Sequence, residues 1–235
     1  MQQYSISIVI PAFNESAVIG ATISEIQEYC RSHQLDYEII VVDDGSTDDT
    51  VALVKAMSGV TLISNEKNSG KGFTVKRGLL AATKGLLLFM DADNSTSITE
   101  LDHMVPELNN ADMVIGSRAL AQSRVELSQH KLKRMMGRLG NRVIQVLLGL
   151  PFRDTQCGFK LMKRDVRRAV ERLTIDRWGF DFELLYIANK YKFRIHESPV
   201  RWVNNFDSKV TAWSYVHVVG ELMSVRNNDL RGRYN

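Results

Sequence analysis

The chain has 235 residues, 44% hydrophobic and 24% charged, an ordinary globular composition long enough for one large α/β domain. Its formal charge of +3 is too small to point to nucleic acid. Cys30 and Cys157 lie too far apart to suggest a disulfide framework or a zinc site, which makes a reducing compartment the expectation. No apolar run approaches the ~20 residues that cross a bilayer. Met1 to Ser5 lead straight into a strand pattern with no room for a signal peptide, so a cytoplasmic protein with at most peripheral membrane contact is expected.

Ile6 to Ile10 reads as a strand, and Pro11, with no N–H to give a central ladder, is expected to stop it, leaving Pro11 to Glu15 as a loop. Ala17 to Arg31 follows as a helix with Val18, Ile19, Ile23 and Ile26 at roughly helical spacing. Glu38 to Val42 is a second strand ending in Asp43 and Asp44. Gly45 to Asp49 supplies a turn and cap, and Val51 to Met57 a short helix. Val60 to Ser64 is a third strand, and Asn68-Ser69-Gly70-Lys71-Gly72 opens a helix through Ala82. Leu86 to Met90 is an unbroken apolar run, the mark of a strand buried on both faces, and it ends in Asp91-Ala92-Asp93-Asn94-Ser95-Thr96. Ile98 to Asn109 reads as a helix, and Met113 to Ser117 as a strand ending at Arg118.

This alternation implies a mostly parallel, doubly wound sheet. Parallel strands bring Glu15, Asp43, Asp44, Asp91 and Asp93 to one edge, the edge at which such sheets bind ligands. Clustered carboxylates repel unless cations or donors such as ribose hydroxyls answer them. Asp91 and Asp93 are hard oxygen ligands suited to Mg²⁺ or Mn²⁺ carrying a substrate phosphate. For any one of these residues taken alone, a capped polar turn remains the alternative. Lys71 can offset the charge or touch a phosphate, and the Arg118 fork matches phosphate oxygens. No G-x-G-x-x-G follows the first strand, and Gly70-Lys71-Gly72 lacks the spacing of a Walker loop.

In the second half, Lys131 to Leu150 carries Leu132, Met135, Met136, Leu139, Val143, Val146, Leu147 and Leu150 at three- and four-residue intervals. Lys131, Lys133, Arg134, Arg138 and Arg142 lie between them, with no acidic residue through Phe152. Such a basic amphipathic helix suits an anionic membrane surface, with packing on the protein body as the alternative. Gly137 and Gly140 each weaken it by ~1 kcal/mol and predict a break or bend. Arg153 to Gly158 is a polar turn before a short strand. Arg177 to Gly179 leads into a helix whose first turn holds Asp181 and Glu183, as the macrodipole favours, so spacing alone forces no catalytic role on Asp181. Phe193 to Val203 is expected as one strand, Asp207-Ser208-Lys209 as a loop, and Thr211 to Val225 as a C-terminal helix. None of the 5 histidines falls in a motif segment.

Taken in order, Ile8 to Glu15, Val41 to Asp48, Asn68 to Gly72 and Asp91-Ala92-Asp93 resemble family-2 glycosyltransferases of the GT-A fold. The resemblance implies a sugar-nucleotide donor, a divalent cation (Mg²⁺ or Mn²⁺) on the Asp-Ala-Asp segment, and inversion at the anomeric carbon. It implies that Pro11, Phe13, Glu15 and Asp43 hold base and ribose, with Asp44, Lys71 and Ala92 completing the donor set. Asp91 would sit near ribose or sugar, and Asp93 would bind the metal. Gly116-Ser117-Arg118, Arg153 to Lys160, Arg177-Trp178 with Phe180-Asp181, Glu183 to Ala188 and Ser208-Lys209 look like the dolichyl-phosphate β-glucosyltransferase branch. Mannosyl relatives usually carry an arginine where Val203 stands and a glutamine where Ser95 stands, which leans towards UDP-glucose over GDP-mannose. Eukaryotic members of the glucosyl branch carry an N-terminal anchor that is missing here, suggesting a bacterial or archaeal relative using another polyprenol.

The expectation is therefore one GT-A domain over 1–235, with a basic amphipathic helix and a C-terminal helical extension. Residues 1–118 would bind the sugar nucleotide and 119–235 the acceptor and the cytoplasmic face of a membrane. A phosphate monoester is already an anion, so its oxygen attacks without a strong base and no Ser–His or Cys–His arrangement is required. Arg118, Arg134, Arg138 and Lys209 are the residues to steer acceptor phosphate. Asp91, Asp93, Arg118, Asp154 and Asp181 form the candidate catalytic set. The alternatives are a GDP-mannose enzyme, a family-2 transferase with a soluble or polysaccharide acceptor, and an inactive sugar-nucleotide-binding module.

Overall fold

The computed structural model describes residues 4–126, 131–203 and 212–235; the side chains of 131–136, 138 and 212–217 lie outside that description. The first half alternates β1 (Ser5–Ala12), α1 (Ile19–Ser32), β2 (Asp36–Asp43), α2 (Thr50–Ala56), β3 (Val60–Ser64), α3 (Lys71–Ala81) and β4 (Leu86–Met90). A 3-10 turn at Ile98–Glu100 leads into α4 (Leu101–Glu107), β5 (Met113–Ser117), β6 (Arg124–Glu126) and α5 (Lys131–Leu148). The chain continues through β7 (Phe159–Lys163), α6 (Arg167–Glu171), α7 (Phe180–Lys190), β8 (Ile195–Pro199), β9 (Arg201–Val203) and α8 (Ala212–Leu230).

Seven strands form one sheet in the order β3-β2-β1-β4-β7-β5-β8, and β6 pairs with β9 in a small parallel ribbon. The larger sheet is parallel except for β7, which runs antiparallel between β4 and β5. Side chains alternate between its faces. Val9, Val42, Leu87, Phe89, Ile115 and Met162 join a core with α3, α6, α7 and the inner sides of α5 and α8. Ile8, Ile10, Val41, Leu88, Met90, Phe159 and Leu161 join a second core with α1 and α4. An apolar layer on each face is why Leu86 to Met90 shows no polar alternation. Helix α3 approaches closely because Gly78 has no side chain; a Cβ there would lie 2.4 Å from Val9 Cγ1.

Three local expectations are corrected. Pro11 does not stop β1, which runs on to Ala12 opposite Asp43. The Ala12 carbonyl accepts from Asp44 N on the β2 side at 2.8 Å, so Pro11 turns its backbone toward β4. Pairing with β4 has already ended at Val9↔Phe89, and the missing N–H costs no ladder bond. Helix α5 runs unbroken through Gly137 and Gly140. The segment from Phe193 to Val203 is two strands in two different sheets, parted at Val200.

Asp112 ties three strands at the far end of the sheet. It accepts from Arg194 N at 2.9 Å and Arg194 Nη2 at 3.1 Å, with Lys163 Nζ 3.6 Å away. The Arg194 hydrogen bonds hold its carboxyl down to about 2, from an ordinary 3.8. A depressed carboxylate adds stability above its unfolded value and loses it as pH falls through the folded one. Asp112→Asn is expected to flatten the fall in urea midpoint between about pH 4 and about pH 2, measured by fluorescence against the wild type.

Candidate active site

The carboxyl ends of β1 and β2 are knitted together by their loops. Asp43, 2% exposed, accepts from Gly45 N at 3.1 Å and from Ser46 N. Asn14 N donates to Ser46 Oγ at 2.8 Å, Thr47 N to Asn14 Oδ1 at 2.8 Å, and Glu15 N to Thr50 Oγ1 at 2.9 Å. Phe13 and Glu15 are half-buried on this rim and Pro11 is buried. Asp44 faces the other way. Its carboxylate accepts from Asn65 Nδ2, Ser69 N and Gly70 N, each at 2.8 Å, and so fixes the loop that starts α3.

That loop delivers Lys71 to the end of β4. Its ammonium lies 2.7 Å from Asp91 Oδ1, 5.5 Å from the centre of the Phe89 ring and 5.3 Å from that of Trp178. Burial works against the charge on Lys71, but Asp91, Asp181 and Asp93 outweigh it and raise the lysine above its ordinary value. Asp91 Oδ1 is buried and accepts no well-aligned hydrogen bond among the described residues, so the Lys71 charge is its neighbour. Behind Asp91 stands Gly158, whose carbonyl accepts from Asp91 N at 3.1 Å. Two residues on, Asp93 accepts from Ser95 N at 3.0 Å and Ser95 Oγ at 2.7 Å. Between them and the next helix Asn94 takes a left-handed backbone, φ 53°, and donates to Glu25 at 2.6 Å. A polar cavity of about 550 Å³ opens beside Asp93, lined also by Glu25, Ser97, Thr99, Glu100 and Arg201.

Across the sheet, Asp154 grips Arg118. Asp154 Oδ2 accepts from Arg118 N at 2.9 Å and Nε at 2.7 Å, and Oδ1 from Nη2 at 2.9 Å. Although burial opposes it, the Arg118 charge holds Asp154 below the usual carboxylate range. The turn bearing Asp154 hangs from α5, where Asn141 Oδ1 accepts from Thr155 Oγ1 at 2.7 Å and Asn141 Nδ2 donates to the Arg153 carbonyl. Ile144 and Leu148 of α5 point into the core, whereas Leu139, Val143, Val146 and Leu147 are exposed, Val146 at 78%. The Cys157 thiol nearby is buried and pushed up to about 12 by that burial, the setting of a structural cysteine.

Asp181 is 4% exposed and pairs with Lys160, a residue sequence reasoning left out of the site. Burial raises Asp181 above the ordinary carboxylate range, against the pull of Lys160 and Lys71. The signal was a lysine flanked by Phe159, Leu161 and Met162, where a buried counter-charge makes it tolerable. Trp178 of the Arg177-Trp178 motif also faces Lys71, an aromatic wall of the site that its spacing in the sequence does not announce. Thus Lys71, Asp91, Asp93 and Asp181 come together, with Ala92 buried in their turn, while Arg118 and Asp154 bind each other. Lys209 lies outside the described residues, as do the side chains of Arg134 and Arg138. Among the described residues, no three of His, Cys, Asp and Glu gather as a metal cluster.

The sheet order, the Asp-Ala-Asp turn and the basic groups around it define a class, and the chain belongs to glycosyl transferase family 2, whose family model matches residues 7–170. It is similar to the dolichyl-phosphate beta-glucosyltransferases of Dictyostelium discoideum and Homo sapiens, 31% identical to each over 97% of this chain. The matches span 75% and 77% of those proteins. Its fold is of the GT-A type. The Mycobacterium tuberculosis glucosyl-3-phosphoglycerate synthase superposes with a TM-score of 0.70 at 22% identity, over 94% of this chain and 80% of that one. The same synthase bound to Mn²⁺, UDP-glucose and phosphoglyceric acid gives 0.70 at 21% identity, over 94% and 79%.

The contact of Gly158 with Asp91 gives a direct test. A Cβ at Gly158 would fall 1.9 Å from Asp91 Oδ2 and drive that carboxylate off Lys71. Gly158→Ala is expected to keep the far-UV spectrum of the wild type and to lose roughly tenfold or more in glycosyl transfer, measured as nucleotide release.

Proposed function

We propose that this protein is an inverting transferase that moves glucose from UDP-glucose to a polyprenyl phosphate at the cytoplasmic face of a membrane. The observation that carries this reading is the Asp91–Asp93 turn closed by Lys71 at the end of β4, on the sheet edge shared with Asp43. Similarity to dolichyl-phosphate beta-glucosyltransferases supports the lipid acceptor, and the exposed apolar stripe of α5 supports the membrane. No helix among the described residues is long and apolar enough to cross a bilayer, so the proposed attachment is peripheral. In this reading 1–118 binds the donor and 119–235 the acceptor and the membrane surface.

The donor set is Pro11, Phe13, Glu15, Asp43, Asp44, Lys71, Asp91, Ala92 and Asp93. Asp43 and Glu15 meet base and ribose, while Asp44 acts from behind by fixing the loop of Lys71. The residues present fit a Mg²⁺ or Mn²⁺ ion: Asp91 and Asp93 supply hard carboxylate oxygens two residues apart on one turn, and such ions need only one or two carboxylates besides water and substrate phosphate. Asp93, with Asp91, would hold the ion, which when bound neutralises the departing diphosphate. Lys71 adds positive charge beside the same group. Asp154 presents the Arg118 guanidinium in one orientation, with two of its N–H groups committed and the others directed to phosphate. Arg134, Arg138 and Lys209 complete the path for the acceptor. Its phosphate oxygen carries the nucleophilic charge already, so the chain supplies orientation and charge stabilisation and no strong base.

Two outcomes are expected. Asp93→Ala should abolish Mn²⁺-dependent transfer, by about 10³-fold, without shifting the thermal midpoint by more than a few degrees; full activity would refute the metal assignment. Neutralising Arg134, Arg138 and Arg142 together to glutamine should release the protein from vesicles containing anionic lipid in a flotation assay. Unchanged flotation, or none by the wild type, would favour a soluble acceptor.

A further inference from the structure

Lys160 and Asp181 form a buried ion pair that the transfer reaction as described leaves unused. Lys160 is fully buried in β7, on the face it shares with Met162 and Phe89. Its ammonium donates to the Cys157 carbonyl at 2.6 Å and pairs with Asp181 at the first turn of α7. A buried ion pair is a weak source of stability, since a well-packed apolar pair is often as stable or more so. Stability alone is therefore a poor reason for two charges in the middle of this core.

The pair does have a neighbour that needs it. The Lys71 and Lys160 ammoniums lie 5.5 Å and 5.7 Å from the same Phe89 ring, and Phe180, the residue before Asp181, meets that ring edge-on with centroids 5.6 Å apart. The helix that starts at Lys71 is also docked on the segment leading to α7. Phe73 N donates to the Asp176 carbonyl at 3.0 Å, and Lys76 Nζ to the Leu173 carbonyl at 2.7 Å. Charges thus alternate from β7 outward: Lys160, Asp181, Lys71, Asp91. We propose that Lys160 is a positioning residue: by pinning the Asp181 carboxylate it holds Lys71 between two anions, and through Lys71 it sets where Asp91 stands for the sugar nucleotide. Asp181 then acts from behind Lys71 and never touches the sugar. The inference rests on the Asp91–Asp93 turn being the donor site.

The test compares the wild type with Lys160→Met/Asp181→Leu, which replaces the charges by apolar bulk, and with Asp181→Asn, which keeps the shape. Three quantities are measured: thermal midpoint, UDP affinity with Mn²⁺ by calorimetry, and KM for UDP-glucose and for a short polyprenyl phosphate. The double variant should keep its midpoint within a few degrees, lose about tenfold or more in UDP affinity and donor KM, and leave acceptor KM unchanged. Should it fail to fold, Asp181→Asn is expected to show the same donor-side loss. Wild-type donor constants in a folded variant would overturn the proposal, leaving the pair as core filling. A wild type that binds UDP yet transfers no hexose would overturn the transfer reading alone, with UDP affinity still deciding this one. A wild type that binds no UDP would overturn both.

Discussion

The structure turns on a lysine buried where water does not reach and paired there with a carboxylate. Lys160 sits between β4 and β5, Asp181 answers it from α7, and Lys71 and Asp91 carry the alternation to the ligand-facing edge. Only because β7 runs antiparallel does its start, at Gly158 and Phe159, lie against the end of β4 at Asp91. One reversed strand thereby brings a positive charge, a close-packed glycine and the Asp-Ala-Asp turn within reach of each other.

Neighbouring carboxylates at the end of β2 divide the work in a similar way. Asp43 closes the rim toward β1, and Asp44 holds the loop of Lys71 with three hydrogen bonds. Opposite them, Asn141 and Gln145 of α5 hold the Phe152–Thr155 turn that presents Asp154 to Arg118. The outer side of that helix is apolar and exposed, with Leu139 at 65%. The same element that offers an oily face to the surroundings also suspends the basic centre of the site, so whatever meets the face is mechanically close to Arg118.

Much of this was legible in the chain itself. Apolar runs with no polar alternation marked the central strands, and β3 (Val60–Ser64) and β5 (Met113–Ser117) match their expected bounds. The grouping of strand-end carboxylates followed from parallel pairing alone. The reversed direction of β7 was not legible, because a short apolar strand reads the same both ways and its neighbours are set by long-range packing. Pro11 misled for a related reason: its missing N–H matters only on the side where a partner strand continues, and sequence does not say which side that is. Lys160 was passed over as part of a motif, although a charge flanked by Phe159, Leu161 and Met162 advertises a buried partner. The apolar stripe expected on α5 holds Leu139, Val143, Val146 and Leu147, which are exposed, but also Leu150, which is buried, and it leaves out Ile144 and Leu148, which point inward.

The position of β7 also decides what becomes of the edge of β4. Strands β3, β2, β1 and β4 all come from the first part of the chain, and without β7 the apolar edge of β4 would be open. Such an edge is a template for pairing with another copy. Its cover, β7, comes from distant sequence, and closing distant segments is slow. Without Asp181 of α7, Lys160 on that strand would be a buried charge with no counter-charge. The strand that carries the buried lysine is therefore also the one that covers an edge otherwise open to pairing with another copy.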